Sequence, residues 1–447
     1  MHRKSIFIFH KDLRLEDNTG LIAALMSSKK VVPLFIFDER QLLNNDYFSE
    51  NAFEFMIESL FDLDQQLKSR GSYLNMIKKG KTVDVLRELI EKENIDAIYS
   101  NRDYTPFAQN RDLEIAELSL EKDISYYQFA DSLFYEPEEL LKDDGTFYKV
   151  FTPFFKRALT FQPKLIRRNN YHNFTNISSD NIGLADSLLK KRNTHLAVRG
   201  GRKNALNILK NNFSDYFDFR NYPSQKKTTM LSAYVKFGCV SPREIHDRFF
   251  SNHELLREFF WRDFLIHLAF HCPYVFGKEF KIKFQSMKWD YDMERFLAWC
   301  NGVTGFPIVD AGMRQLNQTG FMHNRVRMIV ASFLVKNLHI DWRWGEKYFA
   351  KKLVDYDPAV NNGNWQWAAS TGADAVPYFR IFSPLSQQER FDKDFDYVSE
   401  WISELRGFDN KTLYGLYKKP QALGKYPAMI IDAKREAEIC KAIYKSY

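Results

Sequence analysis

Short apolar runs alternate with amphipathic stretches through the first third of the chain: residues 5–9, a helix-like 19–27, 31–37, a helical 50–70, and 95–100. That rhythm predicts βαβ units around a parallel sheet. Residues 1–130 therefore read as an α/β domain with a Rossmann-like parallel sheet. From 131 to 195 the periodicity fails, because Pro137, Pro153, Pro163 and the polar stretch 169–180 break each run, as expected of a long connector. Past Gly200 and Gly201 the pattern turns helical. Residues 202–211, 254–270, 325–338 and 394–405 each carry an apolar face of 3.6-residue period with little strand signal. Residues 196–447 read as one all-helical domain without internal repeats.

A chain of 447 residues and 53.0 kDa is too long for one ordinary core, which agrees with this division. Aromatics reach 16%, with 40 Phe and 23 Tyr, a composition of packed rather than disordered protein. The net charge of +7 allows a polyanionic partner without requiring one. Between Lys142 and Lys236 there are 18 basic and 6 acidic residues, enough to hold a phosphate backbone. A solvated charged face fits that composition equally well. Cys239, Cys272, Cys300 and Cys440 lie far apart with no CxxC pair, so no disulfide framework or metal site is expected, and a reducing cytoplasm suits them. No signal-peptide core is visible at the N-terminus, and apolar runs such as 328–335 are far too short for a membrane span. The expected location is cytoplasmic, at the nucleoid in a prokaryote.

Three segments concentrate chemistry. Residues 355–372 read DYDPAVNNGNWQWAASTG, and buried polar groups at that density each need a partner. Asp355 and Asp357 can accept hydrogen bonds from ligand hydroxyls or ring N–H groups, and Asn361 can face a ring nitrogen. A capped loop packed by tryptophan is the alternative. Residues 226–232, KKTTMLS, put two cations and three hydroxyls before an apolar stretch, as at a phosphate-binding helix start or an ordinary N-cap. Glu258 and Trp261, three residues apart, share one helical face. They suit contact with a base, although tryptophan at helical spacing more often belongs to a core.

Further motifs join these in order: FIFHKDLRLEDN at 7–18, YKVFTPF at 148–154, TGFPIVD at 304–310 and FMHNRVRM at 321–328. Together they resemble the photolyase/cryptochrome family over nearly the whole chain, most closely class I cyclobutane pyrimidine dimer photolyases, with Lys11 where Arg or Gln is frequent. The resemblance implies an antenna α/β domain, the connector, and a helical FAD-binding domain that also binds DNA. It places Tyr216, Thr228, Thr229, Met230, Leu231 and Ser232 at the FAD phosphates and ribityl chain, Met230 standing where many relatives carry Arg. Arg262, Arg327, Asp355 and Asp357 surround the rest. Asn361 falls at the position facing flavin N5, where plant cryptochromes carry Asp and insect ones Cys.

By the same resemblance, Glu258, Trp261, Asn324, Arg325, Met328, Trp367 and Gln387 touch a flipped-out dimer, and Arg220 grips phosphate. Glu258, Asn324, Met328 and Asn361 carry the chemistry. The (6-4) photolyases have His at the positions of Asn324 and Met328, so imidazole acid–base repair is disfavoured. His323 occupies only the preceding place. Trp365, Trp342 and Trp289 match an electron relay. The implied reaction is light-driven electron transfer from fully reduced FAD to the dimer. A second chromophore, whether folate, deazaflavin or flavin, would sit near residues 101–112, where Phe107 and Ala108 replace the polar pair of folate-binding relatives; an empty pocket is the alternative. Damaged DNA is the expected partner of a monomer, with no membrane and no obligate protein partner. The rivals are a cryptochrome-type blue-light photoreceptor, disfavoured because no signalling tail precedes the end at Tyr447, and a damage-binding module without catalysis.

Overall fold

The computed structural model describes residues 1–43, 45–180, 182–418 and 421–447. The chain forms two compact units. The first takes Met1–Thr194, Val198–Asn211 and Met230–Pro273, and the second His195–Ala197, Asn212–Thr229 and Tyr274–Tyr447.

In the first unit, β1 (His2–Phe9), β2 (Ser28–Ile36), β3 (Asn75–Ile77), β4 (Ala97–Asn101) and β5 (Ser125–Phe129) form a parallel sheet in the order β3-β2-β1-β4-β5. Ile6 of β1 pairs with Val32 of β2 and Ile98 of β4. These residues pack with Leu86 of α3 (Thr82–Glu93) and Ile115 of α4 (Pro106–Glu121). Strands covered on both faces read as continuous apolar runs, which is why β1, β2 and β4 are visible in the sequence. The helix α1 (Thr19–Ser27) starts where Asn18 accepts from the Leu21 N–H at 3.1 Å. The helix α2 (Glu50–Lys68) is capped in the same way by Ser49.

Two strands lie outside the expected set. β3 has three residues, and the side chains of β5 are half-buried or exposed, so neither makes an apolar run. The connector is also more ordered than its composition suggests. Val31 bonds to Asn173 and Thr175 at 2.9 Å each, and Met76 donates to the Asp180 carbonyl at 3.0 Å. Connector backbone thus pairs with β2 and β3, protecting strand positions that would otherwise be open to another chain. Residues 151–158 form a helix, α5 (Phe151–Ala158).

The expected boundaries at 130 and 195 do not coincide with the edges of this unit, and a buried ionic network explains why. Arg14, 1% exposed, donates to Asp131 and, at 2.8 Å, to the Asp17 carbonyl. Arg243 donates to Asp131 at 2.7 Å and to Asp17 at 2.8 Å, while Ser241 also donates to Asp17. Gly238, at φ +63°, lies so close to this turn that a Cβ would sit 2.1 Å from the Lys11 carbonyl oxygen. The turn after β1 and residues 238–243 are therefore one piece of structure, with Asp131 between two guanidinium groups.

The second unit is helical. It contains α7 (Pro307–Thr319), α8 (Asn324–Ser332), α9 (Trp342–Lys352), α10 (Pro358–Ala368) and α11 (Pro384–Phe391), numbered after α6 (His253–His271) of the first unit. Trp299, Trp342 and Trp365 lie in its main core. The TGFPIVD motif builds the start of α7. The Asp310 carboxylate accepts from Thr304 N and Oγ1 at 2.8 and 2.6 Å and from Gly305 N at 3.0 Å. Burial pushes this carboxyl up to about 6 against those hydrogen bonds. The single helix expected over 325–338 ends at Ser332 and continues as a π-helical turn, Phe333–Asn337. That wider turn accommodates fully buried Lys336, whose Nζ donates to Ser370 Oγ at 2.8 Å. The helix expected over 394–405 is Asp396–Trp401 followed by a 3₁₀ turn, Ser403–Leu405, with Ile402 extended between them.

Burial alone would raise the Asp131 pKa, but Arg14 and Arg243 outweigh it and hold the carboxyl below its ordinary value. Its contribution to stability is then present above the unfolded carboxyl range near pH 4 and lost as pH falls through the lower folded value. Asp131→Ala, which strands two buried guanidinium groups, is expected to cost about 3–5 kcal/mol in chemical denaturation and to shift the acid side of the stability profile. Unaltered stability in this variant would show that the network is not an anchor.

Candidate active site

The polar segment singled out in the sequence builds α10. Asp357 caps it, Oδ1 accepting from Ala359 N at 3.1 Å and Val360 N at 3.2 Å, and Pro358 occupies the first helical position, where no N–H is needed. Two residues before the cap, Asp355 pairs with Arg327 of α8 at 2.9 Å. The guanidinium is fixed further by the Met322 carbonyl at 2.7 Å. Asn361, 8% exposed, donates to the Glu346 carbonyl at 3.0 Å. Its amide oxygen is an acceptor suited to a further donor.

The next turn forms a ladder of amides. Asn362 donates to the Val275 carbonyl and to Glu346 Oε1, both at 3.0 Å. Gln366 donates to Asn362 Oδ1 at 3.0 Å and accepts from Phe280 N at 2.8 Å. Burial raises the Glu346 pKa to about 7, opposed by the Asn362 hydrogen bond. Glu346 and its contact with this segment were not anticipated, since no local pattern marks a carboxyl whose partner lies sixteen residues away.

The face of α8 carries Asn324 and Met328, four residues apart and therefore adjacent on the helix. Arg325 donates to Asn221 Oδ1 at 2.6 Å and stands 4.4 Å over the Phe391 ring of α11. Gln387 lies one turn earlier on α11, and its side chain is half-buried. Trp367, half-buried on α10, meets Phe382 at 6.3 Å. His323, just before α8, is lowered to about 4 by burial and then by Arg325 and Arg327, so it is neutral at ordinary pH. Arg220 stands 5.6 Å over the ring of buried Tyr216.

In the first unit, α6 presents Glu258, Trp261 and Arg262 at helical spacing, all half-buried. Trp261 stacks on Phe151 of α5 at 3.7 Å with planes 9° apart. Phe151 escaped attention in the sequence, although it lies inside the 148–154 motif. Arg262 donates to the Ser132 carbonyl at 2.9 Å and to Asp263 at 2.7 Å, so its guanidinium has partners within its own unit. Thr228 and Thr229 are half-exposed. Met230 is held at φ +56°, Leu231 is buried, and Ser232 is exposed at the start of a five-residue helix. A left-handed methionine is strained backbone of a kind that collects at ligand clamps.

Trp365, Trp342 and Trp289 are buried to 2%, 0% and 8% exposure. Trp342 and Trp289 share an acceptor, Glu279 Oε1, at 3.2 and 3.3 Å. Trp365 lies against Gly345, where a Cβ would fall 2.1 Å from its ring, and Gly345 is one helical turn from Trp342 on α9. The ring neighbours of Trp365 are Phe349 at 5.0 Å and Trp299 at 6.1 Å.

The donor set of the second unit fits a flavin nucleotide. Asp355 and Asp357 offer carboxylate oxygens for hydroxyl or ring N–H donors, Arg327 a cation, Asn361 a fixed neutral amide, and Thr228 and Thr229 hydroxyls. Among the described residues no cluster of His, Cys, Asp and Glu could hold a metal, and no helix is long and apolar enough to cross a membrane.

Comparison with known proteins gives a consistent result. A family model described as the FAD binding domain of DNA photolyase matches residues 255–446, and one described as DNA photolyase matches residues 5–169. The deoxyribodipyrimidine photo-lyase of Vibrio cholerae is 36% identical over 462 residues, covering 98% of each chain. Among solved structures, an archaeal photolyase from Sulfolobus tokodaii, described as having two FAD molecules and implying a novel light-harvesting cofactor, is 41% identical. It superposes with a TM-score of 0.93 over 99% of this chain and 100% of its own. A bacterial class III photolyase from Agrobacterium tumefaciens, 33% identical, gives a TM-score of 0.91 over 100% and 98%.

The raised carboxyl of Glu346 has a measurable signature. Its contribution to stability is full below the unfolded value near 4.5 and is lost as pH rises through about 7. Glu346→Gln, a permanently neutral isostere, is expected to flatten the decline in stability between pH 5 and 7.5 by up to about 1.4 kcal/mol per pH unit. Parallel pH profiles for variant and parent would remove Glu346 from this role.

Proposed function

The chain belongs to the photolyase/cryptochrome family, and on that footing we propose that it reverses cyclobutane pyrimidine dimers in DNA by light-driven electron transfer. It is a DNA photolyase with an FAD-binding domain. Its relatives include a class III enzyme, and the membership shown is that of the family as a whole. Fully reduced FAD, when bound, would supply the light-driven one-electron chemistry, and the protein supplies orientation and a tuned field.

The observation that carries the reading is Asn361. A neutral amide, 8% exposed and tied to the Glu346 carbonyl, can stabilise a reduced ring without becoming an anion or readily giving up a proton. By the resemblance, Tyr216, Thr228 and Thr229 hold the phosphates and ribityl chain, and Arg327, Asp355 and Asp357 surround the rest. Met230, Leu231, Ser232 and Arg262 complete the family set. Photolyases belong to the enzymes that extrude their target base. Glu258 accepts from the Watson–Crick edge of the extruded pair, and Trp261, backed by Phe151, offers an aromatic wall. By the family resemblance Asn324, Arg325, Met328, Trp367 and Gln387 are also assigned to the dimer, while Arg220 and cations of the basic stretch 142–236 grip phosphates, so binding weakens as salt rises. Trp365, Trp342 and Trp289 carry electrons inward to reduce the flavin.

A second flavin is the antenna this reading favours, because the archaeal relative with two FAD molecules is 41% identical over the full length. Its place is the carboxyl end of the sheet, where strand order reverses between β1 and its neighbours β2 and β4. Lys11 pairs there with Asp103 at 2.9 Å, and Arg40 stands 5.1 Å over Phe107.

Illumination of the purified, reduced protein with dimer-containing DNA is expected to remove dimers, whereas a photoreceptor or a damage-binding module leaves them intact. Glu258→Ala is expected to lower repair by roughly 10–100-fold, the loss of one charge-assisted hydrogen bond. Repair at the parental rate would exclude Glu258 from the dimer.

A further inference from the structure

Glu279 lies outside every motif that marks this chain as a photolyase, yet it is among the most deeply placed carboxylates of the second unit, at 2% exposure. One oxygen, Oε1, accepts the indole N–H of both Trp342 and Trp289, at 3.2 and 3.3 Å. The other, Oε2, is held by Arg343 Nη2 at 2.8 Å. Arg343 is itself tied to the Gly277 carbonyl at 2.7 Å and to Asp341 Oδ1 at 3.1 Å, and its guanidinium carbon stands 4.8 Å from the Trp342 ring. Two carboxylates thus surround one guanidinium, and the excess negative charge lies against the two indole N–H groups.

We propose that Glu279 is a positioning residue of the tryptophan relay, one carboxylate oxygen fixing both outer indoles and stabilising the positive charge on either ring once an electron has left it. The proposal rests on the relay reading of Trp365, Trp342 and Trp289 given above. An electron leaving Trp365 inward leaves a radical cation. Trp342 refills it, Trp289 refills Trp342, and an external thiol finally returns one electron to Trp289. The charge moves outward by one ring at each step, and no bond is made or broken in the protein.

The surroundings of the rings give this movement its direction. Among the described residues no carboxylate accepts from the Trp365 indole N–H, whereas both outer rings share one. Trp299 is a ring neighbour of Trp365 at 6.1 Å and competes for the charge, but its N–H donates to a neutral acceptor, the Val330 carbonyl, at 3.0 Å. Hydrogen bonds to an ionised acceptor are about twice as strong as neutral ones, and they strengthen further when the donor ring becomes cationic. Glu279 therefore makes Trp342 a better resting place for the charge than Trp299 and holds it away from Trp365, where it would recombine.

The test uses the full chain loaded with oxidised FAD and illuminated with a thiol donor. Glu279→Gln keeps the shape and removes the charge, and it is expected to slow light-driven flavin reduction at least about fivefold, the difference between a charged and a neutral acceptor. It should also shorten the lifetime of the tryptophan radical cation in transient absorption, and Glu279→Asp should recover part of both. Trp342→Phe separates the two levels of inference. If that variant photoreduces like the parent, the relay reading fails and Glu279 loses its role with it. If Trp342→Phe is impaired while Glu279→Gln matches the parent, only the role of Glu279 is overturned. Should Glu279→Gln fail to fold or to bind FAD, the parent itself decides. Its indole ¹⁵N–¹H resonances, assigned by single Trp→Phe variants, should place Trp342 and Trp289 downfield of Trp299. Three equivalent positions would refute the shared carboxylate.

Discussion

A polar side chain sealed inside a helical core must be given a partner, and on α10 this constraint reaches most of the site. Asn361, Asn362 and Gln366 together find the Glu346 carbonyl and carboxyl, the Val275 carbonyl and the Phe280 N–H. Each such bond is worth only about 0.5–1.5 kcal/mol net, but leaving one of these groups unpaired costs more. The ladder consequently sets the position of α9 and of residues 275–280 against α10. Residues 277–279 lie in that same loop and carry the acceptors for Arg343 and for two tryptophans. Satisfying amides near Asn361 thus also places the carboxylate that faces Trp342 and Trp289.

Legibility in the sequence followed the range of the interactions. β1, β2 and β4 were readable because burial on both faces leaves an uninterrupted apolar run, and α1 because it combines an apolar face with a capping Asn. The α10 segment announced itself through polar density alone, and its family resemblance supplied roles that density cannot. β3 and β5 stayed hidden, one too short for a pattern and one too exposed. The connector misled through its composition: prolines and polar residues forbid periodicity, yet they do not prevent backbone pairing with strands more than a hundred residues away. Phe151 beneath Trp261, Glu346 behind Asn361 and Glu279 between two indoles are contacts between distant positions. Nothing local distinguishes Glu346 or Glu279 from ordinary core or surface, and Phe151 is marked only by the 148–154 motif.

Buried charge is handled in two ways. In the first, Arg14 and Arg243 face Asp17 and Asp131 in a nearly balanced cluster that serves cohesion. In the second, carboxyls without a matching cation, such as Asp310 and Glu346, are pushed up to about 6 and about 7 by burial. Around Asn361, burial pushes the Glu346 carboxyl toward its neutral form, Asp357 caps α10, and Asp355 pairs with Arg327.

The interleaving of the two units along the chain constrains how the protein can be made. All five strands lie before residue 130, so the sheet can pair early as the polypeptide leaves the ribosome. Asp17 and Asp131, however, wait for Arg243, and the first unit is complete only when Pro273 has emerged. During that interval the nascent sheet holds two carboxylates short of one counter-ion and lacks the helix that carries Trp261. A fragment ending near residue 195 would be arrested in that same state, which makes it a poor candidate for independent expression.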